Sequence, residues 1–274
     1  MPTSLRIIQG ANRTLGGIAP RTVARLNRRL FSTPRRFAPR EWELALEVLG
    51  TRERLPNGAS MLTAGSGLRT IALIHGWEGR ATQFALFAPS LLAAGFRIVA
   101  IDGPAHGHSR GTRSDPYYFA ETLHEAAERY GPFHGMVGHS MGGGAIGIAL
   151  AAGLPASRAV LIASPASLHD VLHRFASAMH MPKAATQHFV AALRQQVASR
   201  GHPEVDVLEL VATVPTRALV IHARDDKEVP FNDGERIASA WPHATLLPVD
   251  GLGHRRILRA PQVVDAAVRF LLDG

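Results

Sequence analysis

Cysteine is absent from the 274 residues, which excludes disulfides, thiolate nucleophiles and cysteine-bound zinc together. The absence fits a reducing compartment. Lysine is nearly absent too: Lys183 and Lys227 stand alone, so almost all positive charge is arginine. No apolar run reaches the roughly 18 residues needed to cross a bilayer, and no early apolar block has the form of an export signal. The Gly- and Ala-rich run 142–154 reads as a buried helix, and the chain is expected to be cytoplasmic. Acidic residues are missing from positions 1–40, which carry nine arginines, whereas the remaining 234 residues hold 21 basic and 22 acidic side chains. The net charge of +8 therefore belongs to the N-terminal segment. With 46% hydrophobic and 19% charged residues the composition is that of a folded chain, long enough for one substantial core.

The basic start contains an amphipathic pattern at 20–31. Val23, Leu26 and Leu30 recur at helical spacing among Arg21, Arg25, Arg28 and Arg29. Such a helix can lie on an anionic membrane or on nucleic acid. The preferred expectation is plainer: the apolar stripe packs on the domain and the arginines face water. An Arg-rich, acid-free start also has the composition of an organelle transit peptide. Residues 34–39 read as a linker, giving a basic N-terminal helical segment at 1–40 and an α/β domain at 41–274.

Beyond the linker, short β-branched runs at 71–74, 97–101, 135–137, 159–163 and 218–221 read as strands buried on both faces, as in a parallel sheet. Helical patterns separate them at 82–94, 117–129, 141–152, 231–240 and 262–272. This alternation implies a doubly wound, mostly parallel α/β sheet with its chemistry at the carboxyl ends of the strands. Between about 165 and 214 the pattern is helical without a strand. An insertion at that place is expected to form a helical cap.

One motif carries chemistry. Gly138-His-Ser-Met-Gly142 falls between an apolar strand and a helical stretch. A nucleophile on so tight a strand-to-helix turn is held in a strained backbone conformation, and near-bare neighbours two positions away make that turn feasible. The turn presents the Ser140 hydroxyl and aims the next helix's first amides at developing negative charge.

From about residue 52 onward the chain resembles the α/β-hydrolase superfamily, whose triad runs in the order serine, acid, histidine. The resemblance implies that fold, with a serine hydrolase activity on a small ester or other acyl compound and no cofactor or metal. The loop from His222 to Pro230 resembles the family's acid loop and selects Asp226, with Asp225 as the alternative. Gly251-Leu-Gly-His254 resembles the loop that carries the base. His75-Gly76-Trp77 resembles the oxyanion loop, which implies that the amides of Trp77 and Met141 form the oxyanion hole. His75, Gly76 and His139 are then expected to border the substrate. The loop with His106 and His108 resembles the one that shapes the site floor, and a structural role is preferred there over metal binding. Serine at 140 argues against the dehalogenases and epoxide hydrolases of this fold, which use aspartate. Ester hydrolysis is the leading expectation. Acyl transfer, thioester, carbon–carbon or perhydrolase chemistry, and a non-catalytic binding protein, stand as alternatives.

Overall fold

The structure, a computed structural model, describes residues 3–202 and 206–273. Residues 203–205, within the span expected as a cap, lie outside the described residues. The chain forms two compact units: Met1–Thr33 with Ser167–Asp206, and Pro34–Ala166 with Val207–Gly274.

The larger unit is built on one eight-stranded sheet in the order β1-β2-β4-β3-β5-β6-β7-β8. The strands are β1 Thr51–Arg54, β2 Ser60–Ala64, β3 Thr70–Ile74, β4 Arg97–Asp102, β5 Phe133–His139, β6 Ala156–Ile162, β7 Arg217–Ala223 and β8 Ala244–Val249. Strand β2 runs antiparallel to both β1 and β4, and every other pairing is parallel. The five strands expected from apolar runs are all present, and β8 is added at the sheet's edge. Its edge position explains why β8 is only half-buried and tolerates Pro248, which has no amide to donate to a further strand. The β1–β2 hairpin was not foreseen, because Thr-Arg-Glu-Arg at β1 lies on an exposed edge and lacks an apolar pattern.

Packing follows from burial on both faces. Residues Thr70–Ile74 are all buried, and Ile71, Leu73, Ile98, Val137, Val160 and Ile221 join one core with Phe84, Phe87, Phe96 and Leu271. The chain leaves β3 toward β4 on one side and returns to β5 on the other. That reversal opens a crevice at the carboxyl ends of β3 and β5, where sheets of this type bind ligands.

Asp102, at the end of β4, ties this end of the sheet together. Its buried carboxylate accepts hydrogen bonds from the Ala81 amide at 2.8 Å, the His108 amide at 2.9 Å and Arg52 Nη1 at 3.1 Å. The segment expected as a linker is anchored as well. Arg35 clamps Glu78 through Nε at 2.8 Å and Nη2 at 2.9 Å, while Arg36 donates to the carbonyls of Ala105, Ser109 and Gly111.

The smaller unit contains α1 Thr3–Leu15 and α2 Pro20–Ser32, followed later by helices at Leu168–Ala178 and Lys183–Ala198. Its core gathers Val23, Ala24, Leu172, Ala176 and Phe189, with Phe31, Phe175 and Phe189 packed ring on ring. Asn12 and Asn27 exchange amide hydrogen bonds within it, and Asn12 also donates to the Met179 carbonyl at 2.8 Å. The inward face of α2 is thus Val23, Ala24, Asn27 and Phe31. The stripe expected from the sequence is corrected accordingly: Leu26 and Leu30 are 59% and 44% exposed. A buried asparagine pair rotates the helix away from the orientation that leucine alone would dictate.

Removing this buried carboxylate leaves the Ala81 and His108 amides without their acceptor and takes the buried anion from Arg52, which keeps Ser60 and Glu47 as partners. Asp102→Ala is therefore expected to lower stability by about 3 kcal/mol in urea unfolding. A loss below about 1 kcal/mol would contradict this role for the network.

Candidate active site

Four loops bring the residues singled out from the sequence to the same end of the sheet. They follow β3, β5, β7 and β8, and the register pairs Ile74 with Gly138 and Ala223 with Val249.

Ser140 directly follows β5 and directly precedes the helix Met141–Ala151. Its backbone sits at φ 52° and ψ −122°, a region that a side-chain-bearing residue enters only under constraint. The constraint is visible. The Ser140 amide donates to the Ile162 carbonyl at 2.8 Å, and the Ser140 carbonyl accepts from the Gly143 amide at 3.0 Å. The flanking glycines are required by space. A Cβ on Gly138 would lie 2.6 Å from the Gly142 carbonyl carbon, and one on Gly142 would lie 2.3 Å from the Ile74 carbonyl oxygen. Gly76 is equally confined, since its Cβ would sit 2.8 Å from that of Ser140. The loop after β3 therefore lies directly against the serine corner.

Asp226 and His254 meet. His254 Nδ1 lies 2.8 Å from Asp226 Oδ2, with the carboxylate side chain fully buried and the imidazole 8% exposed. The other carboxylate oxygen accepts from the amides of Glu228 at 2.8 Å and Val229 at 2.9 Å. Burial would push this carboxyl upward, but hydrogen bonds from His222, His254 and the Val229 amide outweigh it and hold the group well below the usual carboxylate range. An ionised acceptor requires a proton on His254 Nδ1, and in the neutral ring the lone pair then lies on Nε2. Asp225 is exposed and reaches only the Gly253 amide, at 3.2 Å.

His139 spans the serine corner and the histidine loop. Its Nε2 donates to the His254 carbonyl at 2.8 Å, and the two rings lie 4.8 Å apart. No hydrogen bond joins Ser140 Oγ to His254.

The rings of His75 and His139, both expected to border the substrate, bond to backbone groups. His75 is fully buried; Nδ1 donates to the Gly76 carbonyl at 2.6 Å and Nε2 accepts from the Gly103 amide at 2.9 Å. It holds the turn that carries Gly76 and Trp77. His106 is buried with Nδ1 on the Pro104 carbonyl, whereas the half-exposed side chain of His108 points toward Glu47. The Trp77 ring stands edge-on to His106, 5.2 Å between centroids. His222 joins these residues from outside those singled out by motif. It is fully buried, lies 3.5 Å from Asp226 Oδ2 and donates to the Val229 carbonyl at 3.1 Å. Its place four residues before the acid, at the end of an apolar strand, was the available signal.

Three of these rings are neutral in the folded protein. Burial lowers His75 to about 4, and lowers His106 and His139 to about 3. An unfolded imidazole takes up its proton near about 6.5, so below that pH the unfolded chain binds more protons than the folded one. Stability is thus expected to fall as pH drops from about 6.5 toward about 4, read as a steep decline in Tm. A Tm that stays level across that window would show that the rings are not held neutral.

A family model described as "Alpha/beta hydrolase family" matches residues 71–267, and the chain belongs to that family. A pimeloyl-[acyl-carrier protein] methyl ester esterase of Xanthomonas campestris pv. campestris is 26% identical over 244 residues, covering 73% of this chain and 94% of the relative. Among solved structures, an esterase from Rhodococcus sp. ECU1013 matches with a TM-score of 0.62 at 20% identity, over 82% of this chain and 99% of that one. A bromoperoxidase from Bacillus anthracis matches with a TM-score of 0.64 at 18% identity, over 81% and 100%. At these identities the structures speak for the fold.

Proposed function

We propose that this chain is a serine hydrolase that cleaves a small carboxylic ester through an acyl-enzyme. The observation that carries the reading is the 2.8 Å bond between buried, ionised Asp226 and His254 Nδ1. In the neutral ring it assigns the lone pair to Nε2, on a loop fastened to the residue beside Ser140. A relative named a methyl ester esterase supports the substrate class.

The chemistry follows from those positions. Serine is a weak nucleophile at neutral pH until a base accepts its proton. As Ser140 Oγ attacks the carbonyl carbon, its proton passes to His254 Nε2. Asp226 stays ionised and stabilises the imidazolium through Nδ1. The carbonyl oxygen becomes an oxyanion held by the amides of Met141 and Trp77. The Met141 amide lies in the first turn of a helix, where no intrahelical acceptor competes for it. Each such donor is typically worth about 2.7–4 kcal/mol in the transition state. Collapse of the intermediate breaks the bond to the alcohol oxygen, which leaves with the proton from Nε2. Water then repeats the sequence on the acyl-serine and releases the acid.

A fluorophosphonate probe is expected to label the native protein and not Ser140→Ala, whose circular dichroism should be unchanged. Equal labelling of both would remove Ser140 from the reaction. With p-nitrophenyl esters, Asp226→Asn is expected to lower kcat by about 10⁴-fold, as loss of the acid inverts the imidazole tautomer. Asp225→Asn, which keeps an oxygen to accept from the Gly253 amide and gives up only an exposed charge, should be far milder. The opposite ranking would transfer the role to Asp225.

A further inference from the structure

The helical unit holds most of the chain's excess charge. Residues 1–33 and 167–206 contain ten basic and three acidic side chains, a net +7 out of +8 for the whole protein. Within 1–33 there is no acid at all, and among the described residues no ion pair reaches Arg6, Arg21, Arg25, Arg28 or Arg29. Helix α2 shows how this charge is displayed. Its inner face is taken by Val23, Ala24, Asn27 and Phe31, while Arg21, Arg25 and Arg29 follow one another at i, i+4 along the exposed side. Leu26 and Leu30 form a parallel exposed row beside them, 59% and 44% exposed. Helix α1 repeats the pattern with Arg6 and Arg13 next to Ile7 and Leu15, at 67% and 51% exposure, and Ile18 in the turn between the helices is 85% exposed.

From this arrangement we propose that the outer surface of α1 and α2 docks the protein on an anionic phospholipid bilayer. The cations alone would suit any polyanion. The five large aliphatic side chains among them decide between polyanions, because nucleic acid offers no apolar layer for them to enter. A bilayer interface accepts both: arginine meets lipid phosphate while isoleucine and leucine enter the acyl boundary. No helix among the described residues is long and apolar enough to cross a membrane, so the contact would be peripheral.

The test uses the full-length protein sedimented with phosphatidylcholine vesicles, with or without phosphatidylglycerol. Binding is expected to the anionic vesicles only, and to weaken as salt shortens the reach of surface charge below about 8 Å. Arg25→Glu/Arg29→Glu should weaken it about tenfold or more. Leu26→Ser/Leu30→Ser, with charge unchanged, should also weaken it. Melting curves should match the parent for both variants, since all four residues face solvent, and the milder Arg29→Gln serves if the double charge reversal unfolds. Equal binding to both vesicle types, or to neither, would overturn the proposal. So would a leucine variant that binds vesicles like the parent while the protein binds a DNA duplex equally well, which would mark a purely electrostatic surface.

Discussion

A single backbone position organises this protein. Ser140 is forced to φ 52°, and it can be held there only because β3, β5 and the following helix approach one another through bare backbone. The close contacts at Gly76, Gly138 and Gly142 are the same constraint seen from three sides. Strain of this kind costs about 1–3 kcal/mol and persists only when the surroundings over-determine it. Here the surroundings are the buried centre of a parallel sheet. The order of strands follows as a requirement, because the serine corner and the amide-bearing turn must be neighbours.

The electrostatics beside that corner show a division among histidines. His75, His106 and His139 are deprived of water and held neutral, and His75 and His139 spend ring nitrogens on backbone carbonyls. They act as uncharged struts. His254 differs because its partner is a carboxylate kept ionised by amide and imidazole donors. One residue type thus serves two purposes, separated by what each ring faces.

Much of this was legible in the sequence, for identifiable reasons. Strands β3 to β7 announce themselves because residues buried on both faces must be apolar throughout. The serine corner is legible because a close backbone approach tolerates only glycine at fixed spacing. Strand β1 is not, since an exposed antiparallel edge makes no such demand on side chains. The facing of α2 is misread because Asn27, polar in composition, is buried by pairing with Asn12. His222 and the strut at His139 depend on distances across the fold, and fourteen histidines give no means of ranking them beforehand. The grouping of the first helices with 167–206 is likewise a tertiary fact.

Arg35 and Arg36 belong by composition to the cationic start of the chain, yet their bonds belong to the hydrolase framework. Arg35 grips Glu78, one residue past Trp77 and itself at φ 56°, and Arg36 gathers three carbonyls of the loop after β4. A truncation placed at the visible end of the arginine cluster would cut these two anchors along with the helices. Any defect it produced would then reflect a slackened turn after β3 as much as a lost surface. The meaningful boundary for dissecting the two units lies before Pro34, several residues earlier than the charge pattern suggests.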